Sequence, residues 1–217
     1  IAWLDVSKEP WVVGIPDMGS RYFIVPFLDG WSEVVKVASP ATTGGKARTY
    51  VVTGPGWKGT LPEGVTQVKS PTGMVWMLGR IYSSGTPQDY EAVHKLQDQF
   101  TVAPLSAWGQ PYTPPAGVVD PAFDMKTAGR KQVNALDVDA YFTRLAQLMK
   151  TNPPTAADAP IVARMAKIGL VPGQDFDDSK LSAIDRGALK IVPKLALLEM
   201  GLHLKKQKTI NGWLYFT

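Results

Sequence analysis

Three acidic residues near the ends of the first two predicted strands are the first candidates for chemistry. Asp5 lies at the end of an apolar strand, Glu9 in the connection after it, and Asp17 just beyond the second strand. Two carboxylates about 5 to 10 Å apart are what a glycoside hydrolase needs, one as the acid and one as the base or nucleophile. Asp5 and Asp17 are therefore the candidate catalytic pair. The alternative is structural: Asp17 bonds to its own turn and Glu9 is a solvated loop residue.

Two arginines adjoin apolar strand residues and are candidates for substrate binding. Arg21 precedes Tyr22-Phe23, and Arg80 precedes Ile81-Tyr82. A guanidinium in a strand either binds an anionic or polar ligand or forms a structural ion pair with a carboxylate. Both interpretations stay open, and a direct contact between Asp5 and either arginine would identify the structural pair.

The loop Gly54-Pro55-Gly56-Trp57-Lys58-Gly59 is a third candidate. Its glycines free backbone N–H groups, Lys58 adds a positive charge, and Trp57 offers a flat stacking surface, so a phosphate or a sugar is a conceivable ligand. The loop lacks the Gly-Lys-[Ser/Thr] ending of a P-loop. The alternative is a tight turn held by a tryptophan that packs on the edge of the sandwich.

Several kinds of chemistry are excluded by composition. The 217 residues include no cysteine and only two histidines, His94 and His203. Thiol nucleophiles and cysteine metal sites are therefore impossible, and neither histidine lies in a metal-ligand pattern such as H-E-x-x-H. A G-x-S-x-G serine motif is also absent. We predict no metal and no cofactor.

The charge distribution and hydropathy also limit the partners. The net charge of +4 arises in the second half of the chain, and basic residues are densest at Lys205, Lys206 and Lys208. Such a cluster is typical of the end of a solvated helix, whereas a nucleic-acid surface shows a longer basic stripe with aromatic residues. No apolar run approaches the roughly 20 residues of a membrane span. We predict no nucleic-acid partner and no membrane span.

The elements that must position these residues change in type along the chain. Short apolar segments separated by glycine and proline clusters predict six strands in the first hundred residues: 1–6, 11–15, 21–28, 31–38, 48–53 and 73–82. Short strands without intervening helices indicate an antiparallel sandwich or barrel. Pro26 predicts an edge strand or a bulge in the third segment.

Helical patterns dominate the second half. Helices are predicted at about 87–99, at 138–151 with Asp137 as the cap, after Thr155, and at about 179–206 with a kink at Pro193. Between the first two of these helices, residues 101–133 are rich in proline and predict a long arm across the surface. The chain both opens and closes within an apolar strand pattern, which favours a segment of a longer protein.

Several ordered motifs resemble a bacterial family known as domain of unknown function 1254 (DUF1254). They are Trp3-Leu4-Asp5, Glu9-Pro10, Pro16-Asp17-Met18-Gly19-Ser20-Arg21-Tyr22, Thr42-Thr43-Gly44, Gly54–Gly59, Val75–Arg80, Asn152-Pro153-Pro154 and Ile168–Gly173. Asn211-Gly212-Trp213 resembles the start of the usual partner domain, DUF1214. The chain departs from the family pattern at Ala41, where the family tends to have arginine.

The resemblance implies architecture and location more than activity. It implies a jelly-roll-type β domain, a helical segment and a second β domain, in a protein often made with a secretion signal. We therefore expect a β-rich α+β fold, a jelly-roll-like antiparallel β-sandwich followed by a helical segment, at a periplasmic or secreted location. The expected domains are an N-terminally incomplete sandwich at 1–105, a proline-rich arm at 106–133, a helical segment at 134–207, and the first strand of a missing C-terminal β domain at 208–217.

Two functions follow as hypotheses. The first is a β-sandwich interaction module at the cell envelope, with the missing C-terminal β domain as its neighbour and with homo-oligomer formation through the uncharged terminal strand. The alternative is a hydrolase of envelope or external glycans, with Asp5 and Asp17 as carboxylates and Arg21, Trp57, Lys58 and Arg80 as ligand-binding residues. The interaction module predicts that these residues are paired and packed, with an exposed apolar patch elsewhere.

Overall fold

Alternating apolar side chains bring the strands of the first hundred residues into two sheets that share one core. The computed structural model describes residues 1–215, with the backbone alone at Lys205, Lys208, Leu214 and Tyr215. Sheet one has the order β1-β7-β3-β4, with β8 also paired to β3. Its strands are β1 (Ala2–Asp5), β3 (Phe23–Asp29), β4 (Val34–Ala38), β7 (Met74–Met77) and β8 (Arg80–Ile81).

Sheet two has the order β6-β5-β2-β9. Its strands are β2 (Trp11–Ile15), β5 (Arg48–Thr53), β6 (Thr66–Lys69) and β9 (Thr101–Pro104). All described pairings in the two sheets are antiparallel except β5 with β6, which is parallel. The expected β-rich α+β class, an antiparallel sandwich followed by helices, is confirmed.

The core of the sandwich lies between the two sheets. Side chains from sheet one, such as Phe27 and Val75, pack with Val13, Tyr50 and Val52 of sheet two. The Phe27 and Tyr50 rings lie 5.4 Å apart between centroids, at 51°. Burial of such large side chains is the main stabilising contribution to a domain of this size.

Pro26 lies on an internal strand, so the edge-strand alternative is wrong and the bulge is correct. β3 pairs with β4 on one side, where the register shifts between Phe27 and Leu28. On its other side, β3 pairs with β8 at Phe23 and Ile24 and with β7 from Phe27 onwards. Pro26 lies at the break between these two partners, where a missing N–H costs no ladder bond.

Two helices complete the first half of the chain: α1 (Pro40–Thr43) and α2 (Pro87–Gln97). The Thr86 hydroxyl accepts a hydrogen bond from the Asp89 N–H at 3.3 Å and so caps α2. The sequence pattern predicted α2, and it did not indicate α1, β6 or β9.

The described chain divides into two compact units. The first unit contains residues 1–117 and 151–155, and the second contains residues 118–150 and those from 156 onwards. The chain thus returns to the first unit at Thr151–Thr155, where the Gly73 N–H donates to the Thr151 carbonyl at 2.7 Å and the Met74 N–H donates to Asn152 Oδ1 at 3.0 Å. The Trp31 indole N–H donates to the Pro153 carbonyl at 3.1 Å.

The second unit is helical with a small core. Its helices are α3 (Gly129–Asn134), α4 (Val138–Thr151), α5 (Ala159–Ala166), α6 (Ala183–Leu189) and α7 (Val192–Lys206). Buried Ala146, Met149 and Leu170 form its centre. Asp137 Oδ1 accepts from the Ala140 N–H at 2.8 Å and caps α4 as predicted. The single helix expected at 179–206 is instead two helices, because Pro193 lies in the first turn of α7, where its missing N–H is tolerated.

Residues 208–215 form a hairpin instead of the single strand expected at 208–217. β10 (Lys208–Ile210) pairs with β11 (Trp213–Tyr215) in antiparallel register. Asn211 and Gly212 connect them with positive φ angles of 51° and 81°, the backbone of a two-residue hairpin turn. Phe216 and Thr217, which belong to the expected strand, lie outside the described residues. Among the described helices, none combines the length and the apolar character needed to cross a bilayer.

Candidate functional site

Asp5 ends β1, and its carboxylate is occupied by its own turn. Oδ1 accepts hydrogen bonds from the Ser7 N–H at 3.0 Å and from the Ser7 hydroxyl. The hydroxyl bond lowers the pKa of the Asp5 carboxyl, against a smaller opposing effect of burial. The Trp11 indole N–H donates to the Asp5 carbonyl at 3.0 Å. These bonds close the β1–β2 connection around Asp5.

Asp17 is also bonded within its own turn, as the structural alternative predicted. Its Oδ1 accepts from the Gly19 N–H at 2.8 Å, and its Oδ2 lies 3.4 Å from Lys46 Nζ. The Gly19 N–H is the main cause of the lowered pKa of Asp17. Both side chains of the Asp17–Lys46 pair are largely exposed, so the pair adds little to stability.

Asp5 and Asp17 lie at opposite ends of the sandwich. Asp5 is bonded to Trp11 at the start of β2, whereas Asp17 follows Ile15 at the end of that strand. The first and last Cα atoms of a five-residue strand are roughly 13 Å apart, and Asp17 lies two residues beyond that strand. These two residues therefore do not form the 5 to 10 Å carboxylate pair of a glycoside hydrolase.

Arg21 forms an ion pair with Asp89, in the first turn of α2. Its Nη2 lies 2.6 Å from Asp89 Oδ1, and its Nη1 donates to the Tyr82 carbonyl at 2.8 Å. The Asp89 carboxylate raises the pKa of the guanidinium. This pair agrees with the structural alternative for Arg21, with Asp89 as the partner in place of Asp5, and ligand binding by Arg21 stays a prediction. Arg80 is exposed in β8, opposite Ile24 in the ladder.

The Gly54–Gly59 loop packs on itself. Pro55 and Gly56 form the corner of a turn, with Gly56 at a φ of 72° and the Trp57 N–H donating to the Gly54 carbonyl at 3.4 Å. A Cβ placed on Gly59 would lie 2.4 Å from the Trp57 ring, so the indole covers that glycine. One face of Trp57 is thus occupied within the loop, while Lys58 stays exposed.

The six predicted site residues are not brought together. Among the residues that the structure describes, no hydrogen bond or ion pair joins any two of the following: Asp5, Asp17, Arg21, Trp57, Lys58 and Arg80. The described side chains also contain no group of three or more His, Asp or Glu placed to hold a metal ion. Ala41, the position of the family's arginine, lies exposed in α1.

An apolar row crosses the outer face of sheet one. Trp3 pairs with Trp76, Trp76 with Leu28, and Leu28 with Val34. Their neighbours Leu4, Val75 and Phe27 point into the core, so the row lies on the opposite face. Trp3 is 66% exposed and Val34 is 57% exposed. The row is called the tryptophan face below.

The two indoles of the tryptophan face are stacked. The Trp3 and Trp76 rings lie 5.4 Å apart at an interplanar angle of 16°. Offset stacking of this kind restricts both side chains. The face therefore presents a fixed apolar surface, and no member of the row carries a charge.

A groove lies beside β9, the edge strand of sheet two. It has a volume of about 570 Å³, and its lining residues are all uncharged. The sheet contributes Val12, Thr101 and Ala103, while the chain after β9 contributes the following: Trp108, Gln110 and Tyr112. The groove is called the β9 groove below.

Local structure holds the walls of the β9 groove. Leu105–Ala107 form a short 3₁₀ turn, whose start is bonded to the β1–β2 connection through the Leu105 N–H and the Pro10 carbonyl at 2.8 Å. Glu9 Oε2 accepts from the Ser106 N–H at 3.1 Å. A Cβ at Gly14 would fall 2.3 Å from Thr101 Oγ1, so the glycine leaves room for the Thr101 hydroxyl beside β2.

The comparisons with known proteins identify the sandwich. Residues 1–104 match the family described as "Protein of unknown function (DUF1254)", and this match ends with the last residue of β9. The sandwich is a DUF1254 domain. The expected family is thereby confirmed, and the DUF1214 domain stays a prediction.

The fold is shared with a protein of known structure. The VPA0106 protein from Vibrio parahaemolyticus is 23% identical, with a TM-score of 0.69, over 94% of this chain and 47% of that chain. This chain therefore spans about half the length of that relative, and at this identity the likeness shows the fold alone. No curated protein matches the sequence.

The features that the structure adds to the DUF1254 domain were not identified from the sequence. The Trp3–Trp76 pair has no local signal in the sequence, because it depends on the β1–β7 register. Trp108 and Tyr112 lie in the stretch that was interpreted as a proline-rich arm. Two aromatic residues with Gln110 between them in an uncharged segment were the available signal for the groove.

Proposed function

We propose that this DUF1254 domain is a β-sandwich interaction module, and that the tryptophan face is its docking surface. The observation that carries the proposal is the uninterrupted apolar row Trp3–Trp76–Leu28–Val34 across four strands. Contiguous exposed apolar surface of this kind is typical of protein interaction sites. Sheets pack face to face through such rows, with their backbones about 10 Å apart.

The contacts of the polar candidates support this proposal over the glycan hydrolase. Asp5, Asp17 and Arg21 are each bonded to neighbouring structure, which the interaction module predicted. The carboxylate pair that the hydrolase requires is not formed by Asp5 and Asp17. A location at the cell envelope, periplasmic or secreted, is supported by the family resemblance alone and is tested by osmotic-shock fractionation of the source bacterium.

The partner that we propose for the tryptophan face is the same face of a second copy. An uncharged row is compatible with itself, and two-fold packing of identical faces is the commonest form of self-association. The expected C-terminal β domain stays a proposed neighbour of the helical unit, where the α7 side chains Leu195, Leu198 and Met200 are exposed.

Sedimentation velocity from about 1 to 100 μM tests the docking surface, a range that covers weak specific association. We expect a monomer–dimer equilibrium in the unmodified chain and a monomer in Val34→Asp, because an unpaired charge cannot be buried in an apolar interface. Leu198→Asp is the matched control, since Leu198 is 59% exposed on α7. The proposal would be overturned if Leu198→Asp abolished association while Val34→Asp did not. It would also be overturned if the unmodified chain stayed monomeric over the whole concentration range.

A further inference from the structure

We propose that the β9 groove binds a neutral oligosaccharide. This site is separate from the tryptophan face: the groove lies along β9 of sheet two, and the face lies on sheet one. The proposal therefore does not depend on self-association of the domain.

The side chains of the groove suit the two kinds of surface on a sugar ring. Trp108, 43% exposed, and the half-buried Tyr112 offer aromatic rings for the apolar C–H faces of pyranoses. The Gln110 amide and the Thr101 hydroxyl supply donors and acceptors for sugar hydroxyls. Among the described residues, neither of these two polar groups has a hydrogen-bond partner in the protein.

The charge of the groove favours a neutral ligand. None of its lining residues is Asp, Glu, Lys, Arg or His. An anionic ligand would lose hydration there without gaining a cationic partner, and a cation would likewise gain no carboxylate. A volume of about 570 Å³ lies within the usual range of small-ligand sites.

The backbone of β9 disfavours the alternative occupant, an extended peptide added to the sheet edge. The Leu105 N–H donates to the Pro10 carbonyl, so Leu105 and Pro10 form a hydrogen-bonded pair of the β2–β9 ladder. Hydrogen-bonded pairs recur at every second position, so the next ones are Ala103 with Val12 and Thr101 with Gly14. The backbone N–H and C=O groups of Ala103 and Thr101 therefore point towards β2, while those of Val102 and Pro104 point to the open edge of the sheet. Since proline has no N–H, the outward edge offers the Val102 N–H as its one donor, too few for a paired strand.

Fluorine NMR of the full chain labelled with 5-fluorotryptophan tests the proposal. The seven tryptophans give one signal each, and Trp108→Phe assigns the one in the groove. Cellotetraose, chitotetraose and maltotetraose serve as neutral probes. We expect at least one of them to shift the Trp108 signal in a saturable manner while the Trp3 signal stays constant.

Calorimetric titration of variants supplies the second measurement. We expect Trp108→Ala to weaken binding by about tenfold or more, the loss that removal of one stacking surface gives. Gln110→Ala is expected to weaken it several-fold, and Trp3→Ala to leave it unchanged. Thermal unfolding shows whether each variant is folded, and Gln110→Ala keeps the test valid if Trp108→Ala is not.

Three results would overturn the proposal. The first is that no probe shifts the Trp108 signal at about 10 mM, beyond the range of specific recognition. The second is equal affinity in the wild type and both groove variants. The third is tighter binding by an extended peptide or by a charged oligosaccharide than by each neutral probe.

Discussion

The Arg21 guanidinium and the Asp89 carboxylate form a 2.6 Å ion pair that joins the turn before β3 to the first turn of α2. Arg21 also donates to the Tyr82 carbonyl, and Asp89 Oδ2 accepts from the Ser84 N–H at 2.7 Å. Two segments of the chain, 61 to 68 positions apart in sequence, thus meet at one pair. Both side chains are only partly exposed, at 21% and 16%. The pair should therefore contribute more to folding stability than a fully exposed surface pair does.

We predict that Asp89→Asn lowers stability at neutral pH and removes part of its acid dependence. The guanidinium first, and then the Ser84 N–H, hold the pKa of Asp89 well below its usual 3.8. A carboxyl with a lowered pKa in the folded state stabilises fully above its unfolded value, and this stabilisation is lost as the pH falls further. The urea midpoints of Asp89→Asn and the wild type, measured at pH 7, 4 and 2.5, should therefore differ most at pH 7 and approach each other in acid.

The control for this variant is Asp98→Asn, which removes an exposed carboxylate at the other end of α2. Its midpoints are expected to follow those of the wild type at each pH. Parallel midpoints of Asp89→Asn and wild type across the whole range would contradict a stabilising role for the Arg21–Asp89 pair.

Tyr50 is predicted to make the sandwich sensitive to alkali. Its side chain is buried against Phe27, and burial raises the pKa of the phenol above its usual 10. The folded state thus favours the neutral form, so stability is retained below about pH 10 and lost as the pH rises further. Between pH 9 and 11, Tyr50→Phe should lose stability less steeply than the wild type, measured by circular dichroism. The control Tyr22→Phe, at an exposed tyrosine, should not differ from the wild type. Equal slopes for Tyr50→Phe and wild type would contradict this.

Much of the fold could be predicted because local patterns specify it. The strands around Trp11–Ile15 and Arg48–Thr53 are short apolar segments between turns, and α2 and α4 have recognisable caps. β6 and β9 were missed because short segments such as Thr101–Pro104 become strands only through pairing with distant partners. The Asn211-Gly212 dipeptide is a strong local hairpin signal, and it marks the turn between β10 and β11 where a single strand was expected.

The site was harder to predict because it depends on contacts between distant residues. The local bonds of Asp17 followed from turn chemistry, as the structural alternative described. The tight turn before Trp57 was also expected, but the indole packs on Gly59 of its own loop, which was not. The Arg21–Asp89 pair spans 68 positions, and the Trp3–Trp76 stack depends on strand register. Contacts between residues so far apart along the chain produce no periodic pattern in a single sequence, so neither could be predicted from it.

Glu9 is predicted to fix the turn that carries Trp108. Its carboxylate accepts from the Ser106 N–H, a bond that caps the 3₁₀ turn Leu105–Ala107. Glu9→Ala should change global stability by less than about 1 kcal/mol, because the bond is exposed, and should increase amide hydrogen exchange at the 3₁₀ turn. Glu9→Gln, which keeps an acceptor oxygen, should restore most of the protection. Unchanged exchange in Glu9→Ala would show that the Leu105–Pro10 bond suffices.

The contact between Gly30 and Asn152 gives a prediction about the segment that returns to the sandwich. A Cβ on Gly30 would lie 2.8 Å from Asn152 Oδ1 and 3.1 Å from its Cγ. Gly30→Ala should therefore destabilise the sandwich by about 1–3 kcal/mol through overpacking. Asn152→Ala should cost about 1–3 kcal/mol on its own, because the Met74 N–H loses its acceptor.

The double variant distinguishes this contact from general damage to the fold. Asn152→Ala removes the two nearest atoms that a Cβ on Gly30 would meet and leaves only the Asn152 Cβ, at 3.3 Å. The combined loss should therefore be smaller than the sum of the two single losses by about 1 kcal/mol, measured by urea unfolding. Gly79→Ala is the matched control, since its Cβ would find Val25 at an ordinary 3.9 Å, and its effect should add to that of Asn152→Ala. Additivity of Gly30→Ala with Asn152→Ala would mean that the close approach of Gly30 does not hold the returning segment in place.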